Sequence, residues 1–304
     1  MCALLTPAAR KKRKRWLNET NVFIMAAIVP CVLFYLTFSG FPMIFALYLS
    51  VQNWSLIDIP RFVGLGNYTK VLTDDPVFYM GLRNTAVFAV GTVFIGGILS
   101  LCTAMLINNM KKAAGVFRTI YFLPVVTSMV AASVVWRWLY QGQFGLFNQV
   151  LTLMGMNKIP WLDSPKWALP SVMAMSIWKG LGFTAVLFMA GLQGIPATFY
   201  DAAQIDGASR WKTFIHITIP LLQPTIVFVL ITGFINAFQA FTEMYILTRG
   251  GPMYSTTTIV MHLYERAFEY FQMGYASAVA FILFAIIICL TAIQLRLTRV
   301  GWEY

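Results

Sequence analysis

Six apolar stretches constrain this chain more than any other feature of its sequence. Five contain no Asp, Glu, Lys or Arg, and the other is interrupted only by Lys179. The first lies within Val22 to Val51, followed by Thr85 to Ile107, Thr119 to Trp136, Ala168 to Gly191, the run between His216 and Glu243, and Tyr275 to Leu295. A helix needs about 20 such residues to cross the hydrocarbon of a bilayer, so the pattern predicts an all-α polytopic membrane protein with six transmembrane helices. Composition agrees: 59% of the 304 residues are hydrophobic and 11% charged, too little polar surface to cover a water-soluble body of this size. A cytosolic enzyme, a disordered chain and a disulfide scaffold are all excluded on that ground. The uncharged stretch Trp138 to Asn157 is too rich in Gln, Asn and Gly for a lipid-facing helix and is placed outside the bilayer.

Charge supplies the orientation. Lys and Arg are retained on the cytoplasmic side, and the run Arg10 to Arg15 holds six of them in succession. Six spans then return Arg296 and Arg299 to the same side. Of the 22 Lys and Arg residues, 13 fall on the side of the tail and 8 on the other. A basic run before an apolar one also fits a secretory signal, but this apolar run is too long and no small-x-small cleavage site follows it. The expected division is a basic cytoplasmic tail over 1–21, a membrane domain over 22–300 and a short C-terminal tail over 301–304.

Little catalytic chemistry is present. No Gly-Lys dipeptide occurs, so there is no phosphate-cradling loop of the Walker type. His216 and His262 are far apart and have no metal-ligand partner at i+4. Cys2, Cys31, Cys102 and Cys289 form no zinc or redox spacing and read as small apolar residues. Pro30, Pro42, Pro124, Pro220 and Pro224 each remove a backbone donor, which favours kinked helices packed around a cavity; ordinary membrane-helix proline is the competing reading. Ile259 to Phe271 has helical apolar spacing with His262, Glu265, Arg266 and Glu269 opposite, as in an amphipathic helix at the outer surface.

The segment from Gly194 to Ser209 is cytoplasmic in this topology. Pro196 suits the first turn of a helix, Tyr200 to Ile205 can form a short one presenting Ala202 and Ala203, Gly207 supplies a left-handed stop and Ser209 a cap. A rigid docking element needs these features, although an ordinary structured loop would have them too. Asp201-Ala202-Ala203, Gly207 three residues on, and Ile217-Thr218-Ile219-Pro220 after nine more resemble the EAA loop of binding-protein-dependent ABC importer permeases. The usual pattern there is Glu-Ala-Ala, three residues, Gly, nine residues, Ile-x-Leu-Pro; Asp201 and Ile219 depart from it conservatively. From about Trp16 to Leu297, through Phe117 to Pro124, Trp136-Arg137-Trp138, Asp206 to Ser209 and Leu247 to Pro252, the chain is similar to the first permease of the carbohydrate-uptake branch, of maltose, lactose or glycerol-phosphate type.

The resemblance implies a type I ABC importer (MetI-like) permease fold in a bacterial or archaeal cytoplasmic (inner) membrane. It also implies a second homologous permease, two ATP-binding subunits and an extracytoplasmic solute-binding protein, with surrounding lipid and no nucleic acid. The chain would be no enzyme and hold no cofactor, ATP and magnesium being bound by the partner ATPases. A coupling loop over 194–220 would engage the ATPase through Asp201, Ala202, Ala203, Asp206, Gly207, Ala208 and Ser209.

For the substrate pathway the candidates are Asn236, Gln239 and Glu243, at i, i+3 and i+7, with Trp178, Lys179 and Gly182. An aromatic face and amide or carboxylate partners suit a sugar, whereas interhelical hydrogen bonding is the alternative role for Asn236 and Gln239, and snorkelling or carbonyl pairing for Lys179. An ion-coupled secondary carrier is the rival from another class. Single cysteines introduced by Ser209→Cys and Ser255→Cys in a Cys-free background test the topology. An impermeant thiol reagent added to intact cells should label the second and spare the first, and labelling of both would rule out six spans.

Overall fold

The computed structural model describes residues 19–108 and 114–297. The basic run Arg10 to Arg15, Cys2, Lys111, Lys112 and Arg299 lie outside the described residues. Helices α1 (Glu19–Tyr35) and α2 (Phe41–Ser50) are joined by a π-helical turn over Leu36–Gly40. Then come α3 (Gly66–Asp74), α4 (Pro76–Asn108), α5 (Ala114–Val126), α6 (Met129–Leu139), α7 (Leu146–Leu153) and α8 (Ala168–Gln193). The remainder is α9 (Ala197–Ile205), α10 (Arg210–Thr213), α11 (Ile219–Leu221), α12 (Gln223–Phe238), α13 (Thr242–Leu247), α14 (Ile259–Tyr264) and α15 (Met273–Leu297). A two-residue hairpin, Gln52–Asn53 against Arg61–Phe62, is the sheet among the described residues.

Among the described residues, four helical segments are long and apolar enough to cross a membrane, and six if each of two bent pairs counts as one span. The continuous ones are Val22–Ser50, α4, α8 and α15; the bent ones are α5 with α6, at 98°, and Arg210–Leu221 with α12, at 65°. The third and fifth apolar runs of the sequence are therefore broken rather than straight.

The chain divides into two compact units, 1–48 and 49–304. The first carries α1 and most of α2, whose apolar side chains, such as Phe23, Leu33 and Phe41, are exposed within the unit. The second is organised around α4 and α8, the most extensively paired helices, with α12 against α4 and α5 against α8. Helices in lipid gain nothing from hiding one apolar face from another, so they associate where small residues allow close contact. Ala89, Ser100 and Ala104 of α4 and Ala185 of α8 are completely buried, and the Ser100 hydroxyl donates to the Leu181 carbonyl at 3.2 Å. Around this pair lie one apolar cluster containing Phe88, Met175, Phe234, Met244 and Val279, and a second containing Ile107, Phe188, Leu192 and Leu222.

Asp75, just ahead of α4, ties α14 and α15 to it. The carboxylate accepts from the Tyr275 hydroxyl and from the Phe78 amide at 3.0 Å, and stands 2.9 Å from His262 Nε2 and 3.3 Å from Arg266 Nη2. His262 is 2% exposed. Its expected place on a polar, outward face is thus corrected: α14 turns His262 inward because a buried carboxylate is there to receive it. Ile259–Tyr264 is α-helical as the spacing predicts, but Glu265–Glu269 continue as a π-turn.

Burial alone would raise the Asp75 carboxyl, yet Tyr275, the Phe78 amide, His262 and Arg266 outweigh it and hold the carboxyl below the usual range. For His262, burial pushes the imidazole below its ordinary value against the pull of Asp75. An imidazole harder to protonate folded than unfolded contributes stability that is complete above roughly pH 6.5 and declines as the pH falls toward its folded value. Asp75 adds a loss of the same sign only below its ordinary value of 3.8. The thermal midpoint of the purified protein should therefore fall between about pH 6.5 and 5, and His262→Gln should flatten that slope. An equal slope in both proteins would assign the acid sensitivity elsewhere.

Candidate functional site

Two features stand out, a cavity among the spans and a short exposed helix at one end of them. The cavity, about 430 Å³, lies between α4, α8, α12 and α13, within the size range of small-molecule sites. Its position follows from a break in the fifth apolar run. Helix α12 ends at Phe238, Gln239 serves as its C-cap, and Ala240 and Phe241 are non-helical before α13 begins. The carbonyl of Ala240 accepts from the Thr258 hydroxyl at 3.0 Å, so the break is satisfied by a side chain from outside the helix. Asn236, Gln239 and Glu243 all line the cavity, although the break removes the continuous helical register on which their i, i+3, i+7 spacing was read.

The opposite wall belongs to α8, where Ser176, Gly180 and Thr184 face the cavity at four-residue spacing. The sequence reading missed these residues and chose Trp178 and Gly182, whose stripe points away. Trp178 packs on Trp136 with ring centres 5.2 Å apart. Gly182 receives α5, and a Cβ there would lie 2.4 Å from the Tyr121 carbonyl oxygen, so only glycine allows the two backbones to meet. A repeating small or hydroxyl residue every fourth position was the available signal, and it belongs to the Ser176 stripe. Thr92, Ser100, Phe241 and Thr242 complete much of the lining.

Lys179 is not in the cavity either. Its ammonium donates to the carbonyls of Thr127 at 2.8 Å, Pro124 at 3.0 Å and Val125 at 3.5 Å, at the bend between α5 and α6. Breaking a helix in a bilayer frees carbonyls that water cannot reach, and the Lys179 side chain takes them.

At the other feature, α9 is followed by a turn in which the Asp206 amide donates to Ala202 O at 3.0 Å and the Ala208 amide to Ala203 O at 2.9 Å. Gly207 has φ +68°, the left-handed conformation that ends a helix in this way. The Lys212 amide donates to Ser209 Oγ at 3.4 Å, which caps α10. Asp201, Ala202, Asp206 and Gly207 are exposed and Ala208 is half-buried. Ala203 is 6% exposed and lies in the floor of a concavity lined also by Phe199, Ala202, Asp206, Lys212 and His216. Ala202 is therefore presented on the surface and Ala203 mainly inward.

Comparison with known proteins fixes what carries these two features. The model of the family "Binding-protein-dependent transport system inner membrane component" matches residues 93–299. The chain belongs to that family. It is 35% identical to the probable ABC transporter permease YesP of Bacillus subtilis (strain 168), over 96% of each chain. It is 32% identical to the lactose transport system permease LacF of Rhizobium radiobacter, covering 97% of this permease and 99% of LacF. Its fold matches a chain of the crystal structure of a bacterial alginate ABC transporter, in complex with an alginate pentasaccharide-bound periplasmic protein. The TM-score is 0.82 at 21% identity, over 92% and 95% of the two chains. This permease is thus a multi-pass membrane protein, and membership of a binding-protein-dependent family removes the ground for the secondary-carrier reading.

Lys179→Met tests the account of the bend. It leaves the Thr127 carbonyl without its charged donor, a loss of about 1–3 kcal/mol, and should lower the thermal midpoint of the purified permease by at least about 2 °C. An unchanged midpoint would mean that lipid or water satisfies the bend instead.

Proposed function

We propose that this permease forms half of the translocation pathway of an ATP-driven importer for a sugar or related solute, paired with a second homologous permease. Two ATP-binding subunits on the cytoplasmic side, which bind ATP and magnesium, drive it, and an extracytoplasmic binding protein delivers the solute. Both termini lie in the cytoplasm of a bacterial or archaeal cell. The observation that carries this reading is the pairing, in one chain without a phosphate loop, of a polar-lined cavity among the spans with an exposed short helix ended by Gly207.

The division of labour follows from the chemistry of each part. Asn236 and Gln239 can donate to and accept from hydroxyls, Ser176, Thr92 and Thr184 can do the same, and Phe241 offers an aromatic face to sugar C–H groups. Nothing in the chain hydrolyses a nucleotide, so the energy enters through a surface that a partner moves. Helix α9 suits that task because its terminal hydrogen bonds and the Ser209 cap fix it to α10, and from there through Pro220 and α12 to the cavity wall. Lactose is what LacF is named for, and it supports a carbohydrate as the solute.

In membranes reconstituted with all partners, Gln239→Leu or Asn236→Leu should cut uptake at least about tenfold, the loss of a hydrogen bond to solute with desolvation of its partner, while assembly and basal ATP hydrolysis persist. Loss of assembly would favour helix-to-helix hydrogen bonding as their role. Gly207→Val forces a β-branched residue into the left-handed region at about 1–3 kcal/mol or extends α9. It should leave ATP hydrolysis unlinked to uptake or weaken ATPase association. A Gly207→Val complex that assembles and transports at the normal rate would remove α9 from the coupling path.

A further inference from the structure

The charge of the solute is open on resemblance, because lactose is neutral and alginate is acidic. The cavity itself is more definite. Glu243 is the one ionisable side chain among the described residues that line it, and it is 6% exposed. It stands in the first turn of α13, beside Ser176 of the facing helix. Every other polar contributor is a hydroxyl or an amide, including Thr92, Ser100, Thr184, Asn236, Gln239 and Thr242. No Lys, Arg or His side chain pairs with Glu243 among the described residues. Two cations on helices that pack against α13 are engaged elsewhere: Lys179 of α8 on the carbonyls at the bend, and Arg137 of α6 on the Ile246 carbonyl at 3.5 Å.

We propose that Glu243 is a specificity-determining residue, and that the solute passing this cavity is a hydroxyl-rich sugar bearing no acidic group. An acidic sugar brought here would lose its hydration and meet no cation on this wall of the pathway in exchange, which is the costly case for a buried charge. Ionised, Glu243 repels it as a like charge; protonated, it offers one hydroxyl donor and no positive charge. A sugar hydroxyl, by contrast, can donate to the carboxylate or accept from the carboxyl, so a neutral sugar finds a partner in either state. Discrimination of this kind comes from a built-in repulsion as much as from an attraction.

This inference rests on the importer reading, and the experiment separates the two. The intact complex is reconstituted with its binding protein, whose bound ligand is identified by mass spectrometry, and ATP-dependent uptake of that ligand is measured. A ligand without carboxylate, sulfate, sulfonate or phosphate is expected; an acidic ligand taken up at the wild-type rate overturns the proposal while leaving the importer intact. Absence of ATP-dependent uptake of any sugar overturns the importer reading and this inference with it. In a second arm the ligand and its derivative with a primary hydroxyl oxidised to a carboxylate are supplied on the binding protein, and uptake is expressed per loaded molecule. Wild-type uptake of the carboxylate should be at least tenfold below that of the parent, and Glu243→Gln should narrow the gap at least threefold. Equal uptake of the two by the wild type, or an unchanged gap in an assembled Glu243→Gln complex, assigns the selection to other residues.

Discussion

A backbone carbonyl freed inside a bilayer has no water to turn to, and three breaks among the described helices of this permease are each supplied with partners. At the bend between α5 and α6 the Lys179 ammonium reaches across from α8 to the carbonyls of Pro124 and Thr127. At the break between α12 and α13 the Thr258 hydroxyl performs the same service for Ala240. Where α11 meets α12, the ladder is kept by the backbone itself, Leu222 donating to Thr218 at 2.9 Å and Ile226 to Leu222 at 3.0 Å. Each of these three irregularities is thus held by a partner distant in sequence or by backbone hydrogen bonds that cross the bend.

The cavity lies at one of those irregularities. Asn236, near the end of α12, and Glu243, in the first turn of α13, line it on either side of the non-helical step at Gln239 to Phe241. The facing stripe of Ser176, Gly180 and Thr184 keeps that wall small and polar. On its other side α8 meets α5 through Gly182, so one helix both lines the cavity and packs on the bent span.

Ahead of α4, Asp75 draws together residues from three elements, and after α9, Gly207 and Ser209 give that helix a fixed length and direction. The first arrangement depends on burial and charge, the second on backbone geometry. Both suit parts that move as bodies, because neither leaves a long flexible connection between the surface and the spans.

The amino-acid sequence by itself determined the class of the protein, since a chain with six long apolar runs has only helices with which to satisfy its backbone in lipid. It also determined the short helix α9, because Pro196, Gly207 and Ser209 act within a few residues of where they stand. The placement of polar residues around the cavity was only partly legible. Asn236, Gln239 and Glu243 are legible as polar groups in an apolar run, but Trp178 and Gly182 lie off the cavity while Ser176 and Thr184 line it, because sequence spacing gives a stripe without saying which neighbour it faces. The tertiary structure alone decided that Lys179 serves the carbonyls at a bend, that Ala203 turns inward, and that His262 is buried on Asp75. The first and last of those outcomes depend on partners 52 to 187 positions away, and that of Ala203 on the packing of a face; local pattern carries no information about either.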